Sequence, residues 1–152
     1  ESLFESNSFS SSEFLKGYEP YLKTETIHKL SNQGFVFGAH SADHYKYADL
    51  NLNEQIFQTE SCIQFIQQKF NVNKSYFSFP FTDFGVKSDF FEYMYHHSKT
   101  PIHLSFACAG LKNEKINQHV QRIPMEVVGK TAQKIIYTEY LYYIFKRILG
   151  AE

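Results

Sequence analysis

Gly34-Phe35-Val36-Phe37-Gly38-Ala39-His40-Ser41-Ala42-Asp43-His44 reads as a short apolar strand running into two histidines four residues apart. Phe35, Val36 and Phe37 are β-prone and bounded by glycines, the pattern of a buried interior strand. Polar residues of metal-ligand type at the C-terminal end of such a strand lie where α/β proteins place their chemistry. His40 and His44 can point to one side, and neutral imidazoles suit zinc and related first-row metals. A hydrolytic metal usually takes three protein ligands and keeps one position open. Asp43 would point away from the pair, so Asp83, at the end of the next strand, is the best in-chain third ligand. On spacing alone, two surface loop histidines are the slightly better account.

Around this stretch the chain reads as alternating strands and helices. A helix is expected from Thr24 to about Gln33, with Thr24 as its cap, Ile27 and Leu30 facing inward and Gly34 stopping it. Asn51 with Glu54 three residues on is a capping-box start for a helix over 52–70, with Ile56, Ile63, Ile66 and Phe70 as its apolar stripe. Residues 76–81 form a second strand whose Pro80 must sit at its end. Ser88 caps a helix to about His97. Residues 102–108 and 120–123 are further strands. Thr131 opens a last helix to about Leu149, with Ile135, Tyr140, Tyr143, Ile144 and Ile148 on its apolar face. This order implies an α/β fold with a parallel sheet, and about four to five strands are too few to close a barrel alone.

The N-terminal residues are Ser-rich. Residues 1–20 read as an irregular entry segment, with a short helix near 12–16 and a turn over 17–21, ahead of a domain at 21–152. The first residue is not methionine, so the expectation is a polypeptide that starts further upstream.

Composition narrows the function classes. The apolar fraction is 43% and the charged fraction 20%, ordinary for a folded domain. Sixteen Phe and eleven Tyr imply a thick aromatic core or a groove that stacks against sugars or bases. Tyr45, Tyr47 and Tyr76 are the candidates for such a groove, although tyrosines at strand ends are usually packing. The formal net charge of −1 and the lack of a Lys/Arg block argue against a nucleic-acid partner. No run reaches membrane-spanning length. Cys62 and Cys108 read as separate free thiols. His96 and His97 fit a helix C-terminus, His103 a satisfied strand face, and Arg122 a partner for a carboxylate. The compartment stays open between cytoplasm and cell envelope, and a homo-oligomer stays open too.

His40-Ser41-Ala42-Asp43-His44 resembles the His-(Ser/Thr)-x-x-His motif of polysaccharide deacetylases with the NodB-like fold, carbohydrate esterase family 4. Leu30 to Ala39, the Leu50-Asn51-Leu52-Asn53-Glu54-Gln55 helix start and Tyr76-Phe77-Ser78-Phe79-Pro80-Phe81 are similar to the family's surroundings of that motif and to its third motif. The resemblance spans residues 21–124. It implies part of a deformed (β/α) barrel whose N-terminal strands are missing here, and a metal-dependent N-deacetylase acting on a surface or exported polysaccharide. It also implies Zn²⁺ or another divalent metal on an aspartate and two histidines, here His40 and His44. The backbone N–H of Phe81 would hold the oxyanion, Asp83 is a further catalytic candidate, and Tyr45 and Pro80 would meet the sugar.

The departures are specific. Nothing in residues 1–39 matches the family's Thr-Phe-Asp-Asp motif, source of the base and the metal aspartate. Ser78 or Phe79 stands where an arginine is often found. Arg122-Ile123-Pro124 replaces the late Leu-x-His motif. The alternatives are a non-catalytic carbohydrate-binding or assembly homologue of the same fold, and a metal-dependent hydrolase unrelated to sugars.

Overall fold

Phe77 and Ser105 anchor the sheet, each wholly buried and paired in register. In the computed structural model, residues 17–18 and 21–150 are described. Strands β1 (Tyr76–Ser78), β2 (Leu104–Ala107) and β3 (His119–Gln121) form a parallel three-stranded sheet in that spatial order. Tyr76 pairs with Leu104 and Ser105 with His119. All three strands are shorter than the sequence pattern implies, and Phe79 extends β1 only through one bond, to Phe106 O. The architecture is therefore α/β with a parallel sheet.

The residues divide into two compact units, one up to Val36 and one from Phe37 onward. In the first, helix α1 (Thr24–Asn32) is capped by Lys23 rather than Thr24, and neither Ile27 nor Leu30 is fully buried. Gly34 ends it as expected. Its φ of +91° lets Gly34 N–H reach Ser31 O and Phe35 N–H reach Leu30 O, closing the last turn. The helix expected near 12–16 lies outside the described residues. So does most of the entry segment, although Gly17 and Tyr18 are helical where a turn is expected.

The expected buried strand at residues 35–37 is corrected. Phe35 is 60% and Val36 68% exposed, and the strand shrinks to one parallel bridge, Ala39 to Phe77. Ala39 N–H donates to Tyr76 O, and Ser78 N–H donates to Ala39 O. Gly38 shows the constraint: a Cβ there would meet Tyr76 O at 2.9 Å. A β-prone run without a second neighbouring strand has no ladder to extend into.

In the second unit, a 3₁₀ turn (Tyr47–Asp49) leads into α2 (Leu52–Phe70), whose capping box of Asn51 and Glu54 forms as expected. Ile63 is buried and Ile56 and Ile66 pack against the core, but Gln55, Gln58 and Thr59 are buried as well. Tyr47 does not line a groove. It is wholly buried, and its ring meets Phe77, Phe79 and Phe90 at 5.3–5.7 Å. Its hydroxyl donates to Thr59 Oγ1, and burial pushes its pKa up to about 12 despite that bond. Many of the aromatics thus build the core, chiefly in edge-on contacts.

Helix α3 (Ser88–Glu92) is capped by Lys87, not Ser88, and passes into a π-helical turn (Tyr93–His97). Helix α4 (Ala132–Ile148) starts at Thr131 as expected, with Thr131 Oγ1 accepting from Lys134 N–H. Its expected apolar face is not a core face. Only Ile135 is buried, while Tyr140, Ile144 and Ile148 are exposed. Apolar residues surround this helix on every side, so periodicity alone cannot select a buried stripe. Both cysteines are free and half-buried.

Phe79 sits among Tyr47, Phe77, Phe90, Phe91 and His119. Phe79→Ala is expected to destabilise the chain by about 3–5 kcal/mol. Phe84→Ala, at an 81% exposed position, should stay within about 0.5 kcal/mol. Urea denaturation of both variants checks the contrast.

Candidate active site

The loop after Ala39 is built from backbone conformations that non-glycine residues rarely adopt. Ser41 has φ +72° and His44 φ +58°. Left-handed backbone at such residues costs on the order of 1–3 kcal/mol each and persists only where surroundings hold it. Gln58 on α2 is the holder. Its carboxamide oxygen accepts Ser41 Oγ–H at 3.0 Å and Asp43 N–H at 2.9 Å. Its amide donates to Asp43 Oδ2 at 2.7 Å, and Ser41 Oγ in turn accepts His44 N–H.

This loop brings the two histidines together. His40 Nε2 and His44 Nε2 lie 3.1 Å apart. His40 Nδ1 lies 2.7 Å from Ser78 O. A carbonyl can only accept, so Nδ1 carries the proton and His40 Nε2 presents its lone pair. Two imidazoles on one tetrahedral zinc, at about 2.0–2.1 Å each, hold their nitrogens roughly 3.3 Å apart. The pair therefore fits a shared divalent metal, and Ser78 O is the outer partner that such histidines normally have. Among the described residues, no third His, Cys, Asp or Glu completes a ligand group with them.

Phe81 flanks the pair, its ring 4.7 Å from that of His44. Its φ is +59°, and Thr82 N–H reaches back over it to Pro80 O at 2.7 Å. That tight three-residue turn is strained. Among the described residues, the Phe81 N–H is given to no backbone acceptor. Pro80 is buried, whereas Tyr45 is 55% exposed beside the histidine loop.

Asp83 is not placed as a third ligand. Its carboxylate accepts from His119 Nε2 at 3.0 Å and from Gln121 Nε2 at 2.8 Å. Burial alone would raise the Asp83 carboxyl, but the bonds from His119 and Gln121 outweigh it and hold it below the usual range. His119 Nδ1 meets Ser105 Oγ at 2.6 Å, which also meets Tyr95 OH at 2.6 Å. Asp83, Glu114 and His119 have ligand-type atoms within 4.8 Å of one another. However, Gln121 Nε2 donates to both carboxylates, and Lys112 Nζ pairs with Glu114 at 2.6 Å. Among the described residues Arg122 meets no carboxylate either. Its guanidinium donates to Ala107 O, Ser78 Oγ and Cys108 Sγ, tying three strand ends together. His103 Nδ1 accepts Ser75 N–H, the satisfied role expected of it.

Gln58 is the residue that sequence reasoning passed over, while His119 reads from the sequence only as a histidine flanking the last strand. Gln55, Gln58, Thr59 and Cys62 fall at i, i+3, i+4 and i+7, a second inward stripe beside the isoleucines.

The chain matches the family described as polysaccharide deacetylase over residues 4–90, more than half its length, and it belongs to that family. The matched stretch contains the histidine loop, α2 and the Pro80-Phe81 turn, and it ends before β2 and β3. No curated protein and no solved structure matches the chain. Among the described residues, no helix is long and apolar enough to cross a membrane.

Because the folded-state pKa of Asp83 is depressed, its contribution to stability is present above the ordinary aspartate value of about 3.9 and is lost as pH falls below it. Asp83→Asn is expected to cost about 1–3 kcal/mol at pH 7. The gap from the unaltered chain should close as the pH falls below about 4. Paired denaturation curves across pH 2–8 (roughly the span of carboxylate and histidine titration) measure it.

Proposed function

We propose that the chain is the histidine-bearing part of a metal-dependent polysaccharide N-deacetylase. It would hydrolyse acetamide groups of N-acetylated sugars in a surface or exported polysaccharide. The observation that carries this reading is the 3.1 Å approach of His40 and His44 Nε2, with His40 Nδ1–H fixed on Ser78 O. Family membership supplies the substrate class. The α/β layer is read as part of a deformed (β/α) barrel.

In this reading His40 and His44 hold Zn²⁺ or another divalent cation. When bound, such a metal polarises a carbonyl and lowers the pKa of a coordinated water. Ser78 O keeps His40 in the ligating tautomer, and Gln58 keeps the loop in its strained shape. The Phe81 N–H, turned out of the backbone network, donates to the oxygen that gains charge as the acetamide carbon becomes tetrahedral. The His44 and Phe81 rings wall this corner. The carboxylate of Asp83, already taken by His119 and Gln121, supports the turn rather than moving a proton.

A second reading has one observation in its favour. No third ligand stands beside the histidine pair among the described residues. A non-catalytic glycan-binding homologue would keep the pair and release no acetate.

The test has two readouts on the same chain. Zinc titration by calorimetry should show one site, weakened at least about tenfold in His40→Ala and in His44→Ala, since each removes a ligand. Acetate release from N-acetylglucosamine oligomers with added zinc should require both histidines. Release by the double variant at the unaltered rate sinks the deacetylase reading. Zinc and oligomer binding without any release selects the second one.

A further inference from the structure

Beside the histidine loop lies an open groove of about 450 Å³. That volume falls within the roughly 300–1,000 Å³ of small-molecule sites. Tyr45 and Phe57 form its apolar walls, at 55% and 64% exposure. Asn51, Asn53, Glu54 and Gln58 supply its polar lining. These groups are not equivalent. Asn51 and Glu54 cap each other at the start of α2. Gln58 is buried and is spent on Ser41 and Asp43. That leaves Tyr45, Leu50, Phe57 and Asn53 to meet a ligand, with Asn53 the polar group among them.

We infer that this groove is a subsite for a neighbouring sugar ring of the glycan chain, stacked against Phe57 and Tyr45 and hydrogen-bonded by Asn53. The inference rests on the reading of His40 and His44 as the reacting centre for a polysaccharide. A pyranose ring offers an apolar C–H face and a rim of hydroxyl and acetamide groups. Two exposed aromatic side chains with a carboxamide in the same lining are its chemical complement. The Glu54 carboxylate and the lack of a basic side chain in the lining disfavour an anionic ligand such as a nucleotide. Continuity places the groove on the path of the same chain. Tyr45 directly follows His44, and Gln58 belongs both to the groove lining and to the support of the histidine loop. A polymer whose acetamide lies at the histidines would extend over Tyr45.

The groove accounts for aromatics that the core does not use. Phe57 follows Ile56 on α2 but is exposed beside the buried stripe, and among the described residues no aromatic ring contact involves it.

The test is binding rather than turnover, so its outcome separates from that of the deacetylase reading. The N-acetylglucosamine hexamer is titrated into the chain by calorimetry without added metal. Phe57→Ala and Tyr45→Ala should each weaken binding about threefold to tenfold, the range of a single aromatic contact. Phe65→Ala, an equally exposed aromatic on α2 outside the groove, should not change it. Because Phe57 and Tyr45 are exposed, unchanged thermal unfolding of the variants confirms that folding is intact. Failure of the unaltered chain to bind the hexamer overturns the subsite, and so does equal binding by all three variants. Weakened binding in the two groove variants upholds the subsite even where no acetate is released, which is the outcome that would fail the catalytic reading alone.

Discussion

One buried carboxamide holds the histidine loop in shape. Gln58 accepts from Ser41 Oγ and Asp43 N and donates to Asp43 Oδ2. Each bond contributes about 0.5–1.5 kcal/mol net, so together they are of the same order as two left-handed non-glycine residues cost. Without them the loop would relax toward ordinary backbone, and the histidine rings would lose their common direction. The carboxamide is itself fixed because α2 is fixed. The Asn51–Glu54 box starts the helix, Gln55 Nε2 donates to Tyr47 O and Leu50 O, and Tyr47 fills the aromatic core. The geometry of the site is thus transmitted from the core through one helix face.

The sheet supplies the second constraint. Ser78 ends β1, its N–H donates to Ala39 O, and its own carbonyl takes His40 Nδ1–H. One residue therefore sets the start of the loop and the tautomer of its first histidine. Arg122 reinforces this from β3 by donating to Ser78 Oγ and to Ala107 O. A parallel sheet brings all three C-terminal strand ends to one edge, which is why residues 78, 107 and 122 can meet there.

Much of this was legible from residue types. The α2 start was readable because its capping box is a local signal with a fixed spacing. The strand end at Pro80 was readable because proline cannot donate to a ladder. That His40 and His44 could point to one side was readable from their spacing, although spacing alone favours two loop histidines slightly over a ligand pair. The strand at 35–37 was misread because β-propensity describes fit to a partner, and only Ala39 found one. Tyr47 takes the packing role that such tyrosines usually have, but an isolated tyrosine in a polar loop carries no signal that separates it from Tyr45, which is exposed. Asp83 was assigned to the wrong neighbours because the connection between β2 and β3, which carries Glu114 and leads to His119, has no periodicity from which to place it.

The two ligand-type clusters differ in what already neutralises them. At Asp83 and Glu114 the negative charge is met by the amide of Gln121, whose orientation is fixed because its oxygen accepts Ala109 N–H, and by Lys112. A cation there would have to displace two N–H donors and an ammonium from buried or half-buried carboxylates, each of which would then need new partners. At His40 and His44 nothing of the kind stands in the way. The tautomer fixed by Ser78 O aims a bare nitrogen lone pair at a second imidazole nitrogen 3.1 Å away. That contact is favourable only with a proton or a cation between the two nitrogens. A proton on His44 Nε2 supplies that link as an ordinary N–H···N hydrogen bond, so the pair differs from the carboxylate cluster in having no ammonium or amide donor to displace, and it lies next to the aromatic groove rather than inside the polar network.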